Sequence, residues 1–231
     1  MQFSTRHAQV SYLPRQVTVE HNLRIVFIAF GVLFVANFSF AILVDPLITH
    51  LFPLFPRTTL SLLLSRAIPF LIAAAYVVPT VGFRPRISFT KETMLTCVSG
   101  VVMGWIVIVV GVFTFGRLPG QTQGIHDASP FYYYLNMFLI GLLGPFLEEA
   151  FFRGTLFELL NRSQTALKAL LWSSALFTFA HIWGGFNVNL VFMFIGSVVF
   201  TVAYIVGGLV ASVFVHVFMN IYLVYVISIN T

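Results

Sequence analysis

Between Ile25 and Ile229 the chain is a succession of apolar stretches, each close to the roughly 20 residues that a helix needs to cross a bilayer. That length excludes most soluble folds. A water-soluble domain of 231 residues would be about one quarter charged, whereas only 8% of this chain is charged and 59% is hydrophobic. There are too few charges to clothe a soluble surface, so lipid is the expected solvent.

The stretches are Ile25–Val44, Thr59–Val81, Thr93–Gly116, Phe131–Leu160, Thr165–Trp183, Asn187–Val206 and Leu209–Ile229. They predict an all-α fold, a polytopic transmembrane bundle of about seven spans. A cytoplasmic tail over 1–24 precedes a single membrane domain over 25–231. The polar stretch from Met1 to Arg24 comes before the first apolar run, so that run is expected to stay as a span and not to act as a cleaved leader. Gly100 and Gly104 have the spacing that lets two membrane helices approach closely.

The net charge is +5, but the cations lie between the apolar stretches and read as topology signals, not as a nucleic-acid surface. With the N-terminus inside, Arg6, Arg15, Arg24, Arg84, Arg86, Lys91, Arg153, Arg162 and Lys168 are inner, against Arg57, Arg66 and Arg117 outside. The expected partner is therefore membrane lipid, in a multi-pass protein with a cytoplasmic N-terminus. Cys97 is the only cysteine, which excludes an intrachain disulfide.

Ionisable groups at membrane depth are costly and point to function. Only seven acids occur, and two are adjacent in Gly-Pro-Phe-Leu-Glu148-Glu149-Ala-Phe-Phe-Arg153-Gly. Glu149 and Arg153 are four apart with the carboxylate first, the favourable order for an ion pair. Glu148 is turned by about 100° from Glu149. The pair is thus expected to support the scaffold while Glu148 faces a cavity. Two of the six histidines, His181 and His216, also fall in apolar helices. At 1.5 Å per residue, Glu148, His181, His216 and Asn220 lie roughly 18, 25, 13 and 20 Å from the inner side. One acid, two imidazoles and an amide from three helices therefore converge in depth. Pro145 is expected to kink the helix just before Glu148. Ser212 lies one turn before His216 without an evident third group, so it does not compete as a nucleophile.

Glu148-Glu149-x-x-x-Arg153-Gly154, Phe177-x-x-x-His181 and Gly207-Gly208 followed by His216-x-x-x-Asn220, in that order, resemble the three motifs of one family. It is the type II CAAX prenyl endopeptidases with their prokaryotic relatives, the CAAX proteases and bacteriocin-processing enzymes. The resemblance covers 142–222. It implies an intramembrane endopeptidase in which Glu148, partnered by His181, activates water, while His216 and Asn220 stabilise the oxyanion. It also implies a peptide or protein substrate, prenylated or membrane-anchored, and eight spans as the alternative count. The family has been discussed as metalloproteases, and a zinc set here would be Glu148, His181 and His216. The metal-free reading is preferred, because Glu149 is matched to Arg153 and no His-Glu-x-x-His occurs. The competing functions are a catalytically idle scaffold or bacteriocin-immunity protein of the same fold and a proton-coupled transporter. The absence of repeat symmetry disfavours the transporter.

Overall fold

Lipid offers no hydrogen-bond partner to a backbone N–H or C=O, so an apolar chain in a bilayer satisfies its main chain internally as helix. The computed structural model describes residues 19–39, 42–43, 45–51, 68–73, 75, 85–115, 130–182 and 189–228. Every element among them is helical. They are α1 (Val19–Ser39), α2 (Asp45–Leu51) and α3 (Lys91–Phe115), then a composite run from Pro130 to Ser163, then α7 (Ala166–Phe179) and α8 (Asn189–Ser228). The composite run consists of α4 (Pro130–Phe138), a π segment Leu139–Leu143, α5 (Gly144–Phe151), a second π segment Phe152–Phe157, and α6 (Glu158–Ser163).

Local chemistry sets several helix starts. Thr90 caps α3: its Oγ1 accepts from Thr93 N at 3.3 Å, and Thr93 Oγ1 accepts from Thr90 N at 3.3 Å. This is a reciprocal capping box that serves two otherwise orphan donors. Thr165 caps α7 in the simpler way, its hydroxyl accepting from Lys168 N. The expected kink at Pro145 is accommodated in a particular form: the π segment ends two residues before it, at Leu143, with Gly144 N–H bonded to Leu139 O five residues back.

Three helical stretches among the described residues are long and apolar enough to cross a membrane: Lys91–Gly111, Tyr133–Ser163 and Leu190–Tyr222. Leu23–Ser39 and Ala166–Phe179 are apolar but shorter. The expected stretch Thr59–Val81 lies mostly outside the described residues.

α8 is a hairpin. Phe200 stacks on His216, Ser212 Oγ reaches the Phe200 carbonyl, and Gly196 faces Met219. Residues ever further before Gly208 thus meet residues ever further after it. The expected stretches Asn187–Val206 and Leu209–Ile229 correspond to its two arms, 189–207 and 209–228. α3 lies along the hairpin. Gly100 faces Val215, and a Cβ on Gly104 would come within 2.6 Å of Met219 Cγ, so the close approach expected at both glycines is present. α1 packs against α6 through its buried face of Ile25, Val26, Ala29, Phe30 and Leu33, while Phe27, Ile28 and Val35 stay exposed to the surroundings.

The hairpin apex is tied to the segment before α3. Leu209 N–H donates to Arg86 O at 2.7 Å, and Arg86 Nη1 donates to Ile205 O at 2.9 Å. Tyr204 O–H donates to Glu158 Oε1 at 2.9 Å, which joins the same apex to α6. Gly208 has φ 76° and ψ −170°, a region populated almost solely by glycine, and a Cβ there would sit 2.5 Å from Arg86 O. Gly208→Ala is therefore expected to destabilise the fold by about 1–3 kcal/mol, the cost of such backbone strain, before the clash is added. Thermal unfolding in detergent checks it, and an unchanged midpoint would contradict this account of the apex.

Candidate active site

The acidic pair sits on α5, held between the two π segments, the kind of interruption that recurs at functional sites. Glu149 and Arg153 form the expected i, i+4 ion pair, Nη1 to Oε1 at 2.8 Å, with both side chains fully buried. An unpaired charge at this depth would be prohibitive, and the surroundings show how the cost is met. Arg153 Nη2 donates to Ser197 Oγ at 2.6 Å and to Ser197 O at 2.9 Å, and Nε donates to Thr201 Oγ1 at 3.4 Å. The guanidinium also lies over the rings of Phe177 and Phe200, 4.7 and 5.4 Å from their centroids, within cation–π range.

Glu149 does more than pair with Arg153. Its Oε1 also receives His216 Nδ1 at 2.8 Å, and its Oε2 is in contact with Ser212 Oγ. A carboxylate accepts only, so Nδ1 of His216 carries a proton and Nε2 is the nitrogen left to face the site. Ser212, which the sequence leaves without a third group, thus has the Glu149 carboxylate beside it and serves to hold that carboxylate.

His181 differs from the expected position inside a helix. α7 ends at Phe179, and His181 occupies the turn just beyond, its backbone N–H donating to Thr178 O at 3.0 Å. This tightening from i−4 to i−3 is common where a helix stops. The Phe177 carbonyl, which the His181 N–H would have bonded in an unbroken α-helix, accepts instead from the imidazole Nδ1 at 2.8 Å. His181 therefore caps its own helix, and again Nε2 is the nitrogen turned away from that bond.

The two imidazoles converge on Glu148. His181 Nε2 lies 3.7 Å and His216 Nε2 3.8 Å from the same oxygen, Glu148 Oε2. Glu148 and His216 are buried, and His181 is the most open of the three at 13% side-chain exposure. Phe177 underlies the cluster, 4.6 Å from the His181 ring and 5.8 Å from the His216 ring, and Phe200 stacks on His216 at 4.2 Å. Asn220 is placed differently. It is half-buried, and its Nδ2 donates to Ile140 O at 3.1 Å.

Among the described residues, no group of three or more His, Cys, Asp or Glu side chains is arranged to hold a metal ion. Sequence reasoning missed Ser197, Thr201, Phe200 and the role of Ser212. A trace was visible in Ser197-x-x-x-Thr201, two small hydroxyls on one face of an otherwise apolar helix.

Comparisons with curated proteins and with solved structures find no match to the chain. A protein-family model does match, from the first residue of α4 to Tyr222, and it takes in all six of Glu148, Glu149, Arg153, His181, His216 and Asn220. Over residues 130–222 this chain is matched by the family described as Type II CAAX prenyl endopeptidase Rce1-like.

Proposed function

We propose that this protein is an intramembrane endopeptidase that hydrolyses a peptide bond with a water activated by Glu148 and His181. The observation that carries the reading is the convergence of two imidazole Nε2 atoms on one buried carboxylate oxygen, at 3.7 and 3.8 Å. Those separations exceed a direct hydrogen bond but suit one water that touches both groups.

In the reaction, Glu148 takes a proton from that water as its oxygen attacks the scissile carbonyl carbon, and His181 holds the water through Nε2. The C=O π pair moves onto oxygen, and the oxyanion is met by donors. His216 has Nδ1–H committed to Glu149, so it offers an Nε2–H only as the imidazolium. The Glu149 carboxylate is the counter-ion that state requires. Asn220 supplies a carboxamide N–H. Collapse breaks the C–N bond, and Glu148 returns its proton to the leaving amine, so protons balance over the cycle.

Zinc would need Glu148, His181 and His216 as ligands. The reaction is read without a metal because Glu149, the neighbouring carboxylate, is committed to Arg153 and His216 and is not free to complete such a set. The substrate class follows from placement. With its chemistry on apolar helices, the protein acts on peptide or protein chains that reach the bilayer, prenylated or otherwise membrane-anchored. The family match over 130–222 supports peptidase chemistry of the CAAX type.

Glu148→Gln keeps the shape and removes the base. It is expected to lower cleavage by about 10²–10⁴ while the thermal midpoint holds. N-terminal peptide profiling of membranes carrying either form identifies the products, and cleavage at the wild-type rate would reject the role of Glu148. A scaffold or immunity protein would keep its function in that variant. Purified enzyme is expected to stay active after exhaustive EDTA treatment. Loss of turnover, restored by zinc and by no other ion, would overturn the metal-free mechanism.

A further inference from the structure

Asn220 has a hydrogen bond whose acceptor is unusual for a helix interior. Its Nδ2 donates to the main-chain carbonyl of Ile140, within the π segment that precedes the acidic pair. In an ordinary helix that carbonyl would be bonded by a later main-chain N–H. Here the register is i to i−5, because Gly144 N–H is bonded to Leu139 O. The next donor in that register belongs to residue 145, and residue 145 is proline, which has no N–H.

We infer that Pro145 is a positioning residue for Asn220: by withholding an N–H it leaves the Ile140 carbonyl to the Asn220 carboxamide, which fixes where that carboxamide sits. The inference rests on the reading above that Asn220 serves the oxyanion. Nδ2 carries two hydrogens, so one given to Ile140 sets the plane of the amide and leaves the other for the substrate.

The packing brings the two sides of this interaction together independently. Gly141 follows Ile140, and a Cβ on it would lie 3.0 Å from Cγ1 of Ile221, the residue after Asn220. The second arm of the hairpin therefore meets the π segment at a residue with no side chain, which lets the carboxamide reach a backbone oxygen. Pro145 itself is buried, three residues before Glu148, so an effect on Asn220 and an effect on the acidic pair originate in the same turn.

The test is a double-mutant cycle on the full-length protein, with kcat, KM and thermal midpoint measured for Pro145→Ala, Asn220→Ala and both together. Pro145→Ala returns a competing N–H to Ile140 and frees the carboxamide. The expected result is a fall in kcat of about tenfold, smaller than the 10²–10³ typical of deleting an oxyanion donor, with KM within about twofold. The double variant is expected to lose no more than Asn220→Ala alone. Where Asn220→Ala is itself impaired, a wild-type kcat for Pro145→Ala, or losses that multiply in the double variant, would overturn the inference.

A proline that only bends the helix would change stability without coupling to Asn220. The midpoint drop caused by Asn220→Ala is therefore expected to shrink when Pro145→Ala is already present, and equal drops with and without it would count against us. Pro145→Ser supplies the same N–H where Pro145→Ala fails to fold. If Asn220→Ala keeps full kcat while Glu148→Gln is dead, the oxyanion role of Asn220 falls alone. The melting cycle then still decides whether Pro145 positions it.

Discussion

Everything near the site depends on one buried ion pair, Arg153 with Glu149. Neither side chain touches solvent. Two charges in such a place are tolerable only when the remaining donors and acceptors are met. Removing one partner of a buried pair typically costs about 3–5 kcal/mol. Arg153 commits its donors to Glu149, Ser197 and Thr201 and rests its flat face on Phe177 and Phe200. Glu149 commits its two oxygens to Arg153, His216 and Ser212. The pair thereby joins the composite helix to both arms of the hairpin and, through Phe177, to α7. It is the joint on which the three motif-bearing stretches register.

Adjacent carboxylates with separate tasks follow from that joint. Glu149 is saturated by Arg153, His216 and Ser212, so it cannot swing toward the two Nε2 atoms. Glu148, one residue earlier and about 100° around the helix, is turned toward the two Nε2 atoms. The imidazoles are pre-set in the same sense, each with Nδ1 tied to an acceptor, one a carboxylate and the other a main-chain carbonyl. Holding two rings in fixed orientations before a substrate arrives removes a reorganisation that the proposed hydrolysis would otherwise have to supply. Two different local devices, a buried ion pair and a helix terminus, thus deliver the same ring orientation.

The parts of this arrangement that were legible in the sequence are those with a local cause. Glu149–Arg153 follows from a four-residue spacing, the close approach at Gly100 and Gly104 from their small size, and the hairpin from Gly207-Gly208 between two apolar runs. The parts that were not legible depend on which element lies opposite. Ser197 and Thr201 look like ordinary small helix residues until Arg153 is laid beside them. The end of α7 before His181 was also out of reach, since the apolar run continues through Ile182 and only the hydrogen bonds show that the helix has stopped. The expected second span and the count of seven involve residues outside those described.

Hydrogen-bond register was the least accessible feature, and it has the largest geometric consequence. A π segment holds one residue more than the α-helical turn it replaces, which rotates all that follows by roughly 100° about the axis. The run from Pro130 to Ser163 contains two such segments, so a wheel drawn at 3.6 residues per turn places its later residues on the wrong side. One straight arm of the hairpin, with His216 and Asn220 on a single face, nevertheless meets Glu149 and Ile140, which are nine positions apart. In an unbroken α-helix, nine positions put two residues on opposite sides of the axis. The π segment just before Pro145 takes up most of that half-turn. Such a segment is a costly departure from regular helix, and here it is what allows one facing helix to engage both the turn that carries the acids and the turn that precedes it.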